Sequence, residues 1–172
     1  MKIIDIFNKY NFKIDEKQAE KFEKYYKFLV QENEKYNLTA ITDENEVIFK
    51  HFLDSILAEK NILKNSKIID IGSGAGFPAI PLKILRPDLQ FVLVDSLNKR
   101  VNFLNELIKL LNLDNTIAVH SRAEDYIKNN RENFDYAVAR AVAPLNTLLE
   151  YLLPYVKVGG KCLIYKSQKL DE

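Results

Sequence analysis

An apolar run that ends in an acid and breaks into alternate glycines limits the folds open to this chain. The segment reads Lys67-Ile68-Ile69-Asp70-Ile71-Gly72-Ser73-Gly74-Ala75-Gly76-Phe77-Pro78. It predicts a buried strand, a tight turn and a helix that starts at Pro78. Proline at a first helical position loses no helical hydrogen bond and has its φ already set. Glycines let the backbone turn with positive φ and leave no Cβ in the way of a ligand. An open α/β sheet makes its ligand crevice in this manner, beyond the carboxyl ends of its strands.

The spacing is G-x-G-x-G, which departs from the G-x-G-x-x-G of dinucleotide folds. Asp70 lies two residues before Gly72, close to where a pyrophosphate would sit. A fixed carboxylate there repels phosphate and attracts a cation. S-adenosylmethionine carries an ammonium and a sulfonium and no phosphate. Acid and spacing together therefore favour this methyl donor over a nucleotide. A strand–turn–helix with no ligand is the remaining reading, since glycine turns are common between β and α.

The chain has 172 residues, which predicts one domain spanning 1–172. A domain of that size buries about 68–70% of its unfolded surface without staples. Its 47% hydrophobic and 28% charged content is ordinary for a globular domain. The lone Cys162, read as a core residue, excludes an internal disulfide and fits a reducing, cytoplasmic setting. Met1–Phe12 carries charges throughout and does not read as a secretory signal. No run reaches the roughly 20 apolar residues of a membrane span, so no membrane partner is expected. A net charge of +1 gives no global nucleic-acid signal.

The texture changes near residue 65. Residues 1–64 read as a helical N-terminal cap. Asp15 with Gln18 forms a capping-box-like start, and Ala19, Phe22, Tyr26, Leu29 and Val30 recur at helical spacing. Asp43 with Glu46 opens a second helix. Residues 65–172 alternate short β-rich runs with helices. Expected strands are Lys67–Ile71, Gln90–Asp95, Thr116–His120, Asp135–Ala139 and Lys161–Lys166. Expected helices are Pro78–Leu85, Asn98–Leu111, Ser121–Asn129 and Leu145–Tyr155. Such alternation predicts an α/β fold, a parallel sheet with helices on both faces.

Strand ends then supply candidate site residues. Asp95 ends the second strand, where an acid can accept from both ribose hydroxyls or cap the following helix. Ala123 and Glu124 follow the third strand, where a backbone N–H and a carboxylate can read an adenine edge. The same carboxylate also suits a solvated first helical turn. Arg140 ends the fourth strand, where its fork can hold a donor carboxylate, an RNA phosphate or a structural acid. No Asn/Asp-Pro-Pro-aromatic motif and no cysteine occupies the loop after it, which disfavours methylation of an exocyclic amine or a covalent attack on a pyrimidine. His51 and His120 make no metal-ligand cluster, so no metal is expected, and His51 reads as a helix-surface or cap contact. No acid–base pair is apparent, so no catalytic residue is assigned. That suits N7 of guanine, which already carries a free lone pair.

The motifs in order are Lys35-Tyr36-Asn37-Leu38-Thr39-Ala40-Ile41, His51-Phe52-Leu53-Asp54-Ser55, Asp70–Pro81, Lys99-Arg100-Val101-Asn102-Phe103-Leu104, Arg122-Ala123-Glu124 and Arg140-Ala141-Val142-Ala143-Pro144-Leu145. This set closely resembles the RsmG family, also called glucose-inhibited division protein B (GidB), over about residues 30–166. The resemblance implies a Rossmann-like class I S-adenosylmethionine-dependent methyltransferase. Such an enzyme makes 7-methylguanine in 16S rRNA and leaves S-adenosylhomocysteine. It further implies 16S rRNA or the 30S subunit as partner, a monomer, and donor contacts at Gly72, Phe77, Ala123, Glu124 and Arg140. Gly74 and Asp95 complete the candidate cofactor site. Lys35, Lys50, Lys99, Arg100, Arg122 and Lys166 are candidate phosphate contacts. The chain departs from the family pattern at Ala79 and at Lys166-Ser167, and the short segment after the fifth strand raises the expectation of a sheet that lacks the terminal β-hairpin, in a short family member or a truncated chain. A non-catalytic module that binds a nucleoside or RNA is the alternative expectation.

Overall fold

The computed structural model of the protein describes residues 2–140 and 144–165. Ala141–Ala143 of the loop motif, Lys166, Ser167 and the C-terminal segment lie outside the described residues. Five parallel strands form the sheet among those described: β1 (Lys67–Ile71), β2 (Gln90–Asp95), β3 (Thr116–His120), β4 (Phe134–Arg140) and β5 (Val156–Tyr165). Their spatial order is β3-β2-β1-β4-β5. The order reverses between β1 and β4, and this is where an open sheet splays its following loops into a crevice.

Strand alternation divides the interior in two. Ile68, Phe91, Leu93, Tyr136 and Val138 face one core, and Ile69, Ile71, Val92, Val94 and Ala137 face the other. The first core is covered by α5 (Ala79–Leu85) and α6 (Asn98–Leu110). The second is covered by α8 (Leu145–Leu152), with α7 (Ala123–Tyr126) beside it. Outside α5 and α6 lie α1 (Ile3–Lys9) and α2 (Glu16–Tyr36). The capping box at Asp15 and Gln18 is present, and Asn37 closes α2 with φ 48°.

Several boundaries differ from the sequence reading. Helix α1 has no side-chain cap and was not anticipated; it is held by Ile3, Ile6 and Phe7, the last with its ring 4.8 Å from Phe22. Pro78 is the N-cap of α5 rather than its first residue. The helix expected at 121–129 is one α turn followed by a 3-10 turn at Ile127–Asn129, and Leu153–Tyr155 is likewise 3-10. Strand β5 starts at Val156, five residues earlier than expected, with a register shift against β4 between Phe134 and Tyr136. Cys162 is half-buried beside the second core. The second expected helix starts on the Asp43 cap as α3 (Glu44–Val47). It passes through a π-helical turn at Ile48–Leu53 and ends as α4 (Asp54–Ile56).

Candidate active site

Backbone geometry at the end of β1 makes the floor of the site. The Gly72 N–H donates to Val94 O at 2.8 Å and the Gly76 N–H to Ser73 O at 2.7 Å. Gly72, Gly74 and Gly76 all have positive φ, at 72°, 56° and 96°. From α2, the buried Tyr25 hydroxyl donates to Ala75 O at 2.5 Å and fixes the loop from below.

Two cavities open on this floor. The first, about 370 Å³, is lined by Gly72, Gly74, Phe77, Asp95 and Arg140 together with Leu38, Thr39, His51 and Arg100. The second, about 320 Å³, is lined by Gly72, Leu97, Ala123, Glu124 and Tyr151. They share Gly72 and Ser96, so the two form adjoining halves of one cleft. All seven residues proposed from sequence for the cofactor therefore meet at one end of the sheet.

Each has a distinct local setting. Asp95 is 2% exposed; its Oδ2 accepts the Gly74 N–H and its Oδ1 the Leu97 N–H, both at 2.9 Å. Arg100 Nη1 lies 3.5 Å from the same carboxylate. Capping and loop bracing are thus visible for Asp95, and each oxygen keeps a lone pair for a further donor. Ala123 O accepts from the Tyr155 hydroxyl at 2.6 Å, which fixes the start of α7. Phe77 is buried on Tyr25, with ring centroids 5.4 Å apart. Arg140 lies with its guanidinium carbon 4.8 Å from the Phe77 centroid, and its Nη1 is 3.4 Å from Asp54.

Asp70 differs from the role the sequence suggested. It shares the first-core face with Ile68, is fully buried, and neither carboxylate oxygen has a hydrogen-bond partner among the described residues. The Ser73 hydroxyl donates to its backbone carbonyl instead. Burial pushes the carboxyl up to about 8, so near neutral pH it is largely uncharged. The repulsion argument against phosphate therefore loses its charge, and Asp95 and Glu124 are the acids that line the cleft.

His51, read as a helix-surface or cap contact, does meet the cap segment, with Thr39 Oγ1 2.9 Å from its Nε2. Sequence reasoning missed its place in the site: it forms a wall of the first cavity, its ring stacked on Phe77 at 4.5 Å. Burial and the nearby Arg140 cation pull its pKa down to about 4. Among the candidate phosphate contacts, Lys35 pairs with Glu32 at 2.7 Å and Lys50 with Glu46 at 2.5 Å. The Lys50 pair is exposed on both sides and weak, so it can be exchanged for a phosphate, whereas Glu32 is buried and holds Lys35 more firmly. Lys99 and Arg122 are exposed.

Comparison with known proteins decides the family. The family model for rRNA small subunit methyltransferase G (GidB) matches residues 18–172. The chain belongs to this family. Members from Lactobacillus delbrueckii subsp. bulgaricus and Thermoanaerobacter sp. are 49% and 52% identical to it, over 98% and 90% of the chain. The chain spans 73% and 66% of those two relatives. The family resemblance read from the motifs is thereby shown. Solved structures agree on the fold. A putative S-adenosyl-L-methionine-dependent methyltransferase from Methanococcus maripaludis superposes with a TM-score of 0.59 at 20% identity, covering 83% of this chain and 62% of its own. A putative protein-L-isoaspartate O-methyltransferase from Plasmodium falciparum, in complex with S-adenosyl-L-homocysteine, gives 0.57 at 17% identity, covering 98% and 84%. The architecture is that of class I S-adenosylmethionine-dependent methyltransferases.

Proposed function

We propose that this chain transfers the methyl group of S-adenosylmethionine to N7 of a guanine in 16S rRNA. Family membership supports the reaction class. The observation that carries the site assignment is the double cleft joined at Gly72 and Ser96, with an acid in each half and two arginines in the first. Its size suits a small-molecule ligand, for which roughly 300–1,000 Å³ is usual.

In this reading Glu124 and the Ala123 backbone face the adenine, and Asp95 accepts from the ribose hydroxyls. The glycine loop leaves room for the methionine chain, since a Cβ on Gly74 would meet only Gly72 O, at 3.8 Å. Arg140 keeps N–H groups free for the donor carboxylate after those used on His51, Lys50 O and Asp54.

The bound donor supplies an electrophilic methyl on sulfur. Guanine N7 attacks with its own lone pair, so no proton has to be removed. The protein's contribution is alignment and a fixed charge arrangement. Positive charge moves onto the base as the methyl transfers, so an unbalanced cation beside N7 would oppose the reaction. Asp54 balances Arg140 from the far side.

A calorimetric donor titration, followed by methyl incorporation into 30S subunits and into naked rRNA, tests the reading. Donor binding with a 7-methylguanine mapped on either substrate is expected. Binding without incorporation on both would assign the chain to the non-catalytic module.

A further inference from the structure

Three motif segments meet at the mouth of the first cavity. Asn33 Oδ1 accepts the N–H groups of Leu38 and Thr39, at 2.7 and 2.9 Å, and so fixes the turn after α2. Thr39 Oγ1 lies 2.9 Å from His51 Nε2, and His51 Nδ1 lies 3.0 Å from Arg140 Nη2. A guanidinium can only donate, so Nδ1 accepts and the ring proton sits on Nε2, facing the threonine hydroxyl. The nearby Lys50 carbonyl, 3.2 Å from Nδ1, is satisfied by Arg140 Nη1 at 3.3 Å.

We propose that His51 is a positioning residue for the methyl transfer: its neutral ring, stacked on Phe77, accepts from Arg140 and holds that guanidinium flat along the cavity wall. This rests on the functional reading above. The arginine is thus gripped on three sides, by the Phe77 face, the His51 acceptor and the Asp54 carboxylate. Released, a long arginine side chain would sample many rotamers, including those that bring its charge toward the base. The lowered basicity of the ring supports the arrangement, because a second cation here would expel the first. The cap segment carrying His51 therefore belongs to the catalytic geometry as well as to the core.

Amide substitutions separate the two ring nitrogens. His51→Asn places a carbonyl oxygen near the Nδ1 position, whereas His51→Gln reaches the Nε2 position and leaves Arg140 without its acceptor. Both variants lose the ring stacked on Phe77, but the asparagine variant should keep S-adenosylhomocysteine affinity and transfer rate about tenfold or more above those of the glutamine variant. In a double-mutant cycle with Arg140→Met, the glutamine change should add little. Nitrogen-15 spectra of the ring should show the proton on Nε2 in the full chain. Equal losses in the two amide variants, additive losses in the cycle, or a proton on Nδ1 would each overturn the proposal. Should the wild-type protein bind no donor, the functional reading fails, and the ring spectra still decide the Arg140 contact.

Discussion

Asp95 Oδ2 accepts the backbone N–H of Gly74 at 2.9 Å, which ties the end of one strand to the glycine loop of its neighbour. The same carboxylate holds the Leu97 N–H ahead of α6. A group proposed to hold the ribose therefore also shapes the loop under it.

Asp95→Ala should consequently act twice. Loss of charge-assisted hydrogen bonds is expected to lower stability by about 1.5–3 kcal/mol, read by denaturant unfolding. Donor affinity should fall as well. A 2′-deoxy donor analogue should bind variant and wild type nearly alike; a variant that still prefers the ribose would leave Asp95 with bracing and capping alone.

The glycines of the loop are not equivalent. A Cβ on Gly76 would come within 2.8 Å of Ile80 Cγ1 and 2.9 Å of the Tyr25 hydroxyl, whereas one on Gly74 meets nothing closer than 3.8 Å. Gly74→Ala carries the backbone cost of positive φ, about 1–2 kcal/mol. Gly76→Ala adds overpacking of about 1–3 kcal/mol. Thermal unfolding should rank Gly76→Ala as the less stable, while calorimetry should show Gly74→Ala folded but weaker for the donor. The reverse ranking in stability would mean that the Tyr25 contact does not constrain the loop.

Asp70 should give the protein a distinctive pH dependence. Its carboxyl is raised from 3.8 to about 8 on folding. Between those values the folded state holds a proton that the unfolded state has lost. Stability should therefore be greatest below about pH 4 for this group and decline toward pH 8, by up to about 1.4 kcal/mol per pH unit. His51 acts in the opposite sense, losing stability as pH falls from 6.5 toward about 4. Comparing wild type with Asp70→Asn isolates the carboxyl: the variant should gain relative stability as pH rises. A constant difference between the two from pH 5 to 8 would show an ordinary carboxylate.

Arg140→Lys keeps the charge and loses the planar fork. A lysine cannot lie on Phe77 while serving His51, Lys50 O and Asp54 together. Donor affinity and methyl transfer should fall in step, with the melting temperature little changed. Normal donor affinity with transfer alone impaired would move Arg140 from cofactor positioning to a contact with RNA.

The sheet was legible because buried parallel strands read as apolar runs. Phe91–Val94 and Tyr136–Ala139 are such runs, and Ile68–Ile71 is one interrupted by Asp70, each placed by a polar or turn-forming flank. Helix α1 was not legible, because its short apolar face makes sense only against Phe22 of α2. The early start of β5 was hidden by Gly159 and Gly160 at its register shift. Asp70 could have been read better: its i, i+2 relation to Ile68 already put it on a core-facing side. The His51–Arg140 contact joins residues 89 positions apart, and no local pattern announces it.

The π-helical turn at Ile48–Leu53 has a consequence for insertions and deletions. A π turn accommodates one more residue than an α turn. Adding one residue there would leave an apolar, helix-forming segment of almost unchanged make-up. Yet the π turn already holds its extra residue, so every residue beyond the insertion would rotate by about 100° around the helix axis. Asp54 would leave Arg140, and Ser55, whose carbonyl accepts from the Tyr165 hydroxyl at 2.8 Å, would leave β5. Removing one residue instead would close the π turn to an α turn and keep Asp54 and Ser55 in phase. The turn therefore tolerates shortening by one residue better than lengthening, and a lengthened version would be expected to fold yet lose both contacts.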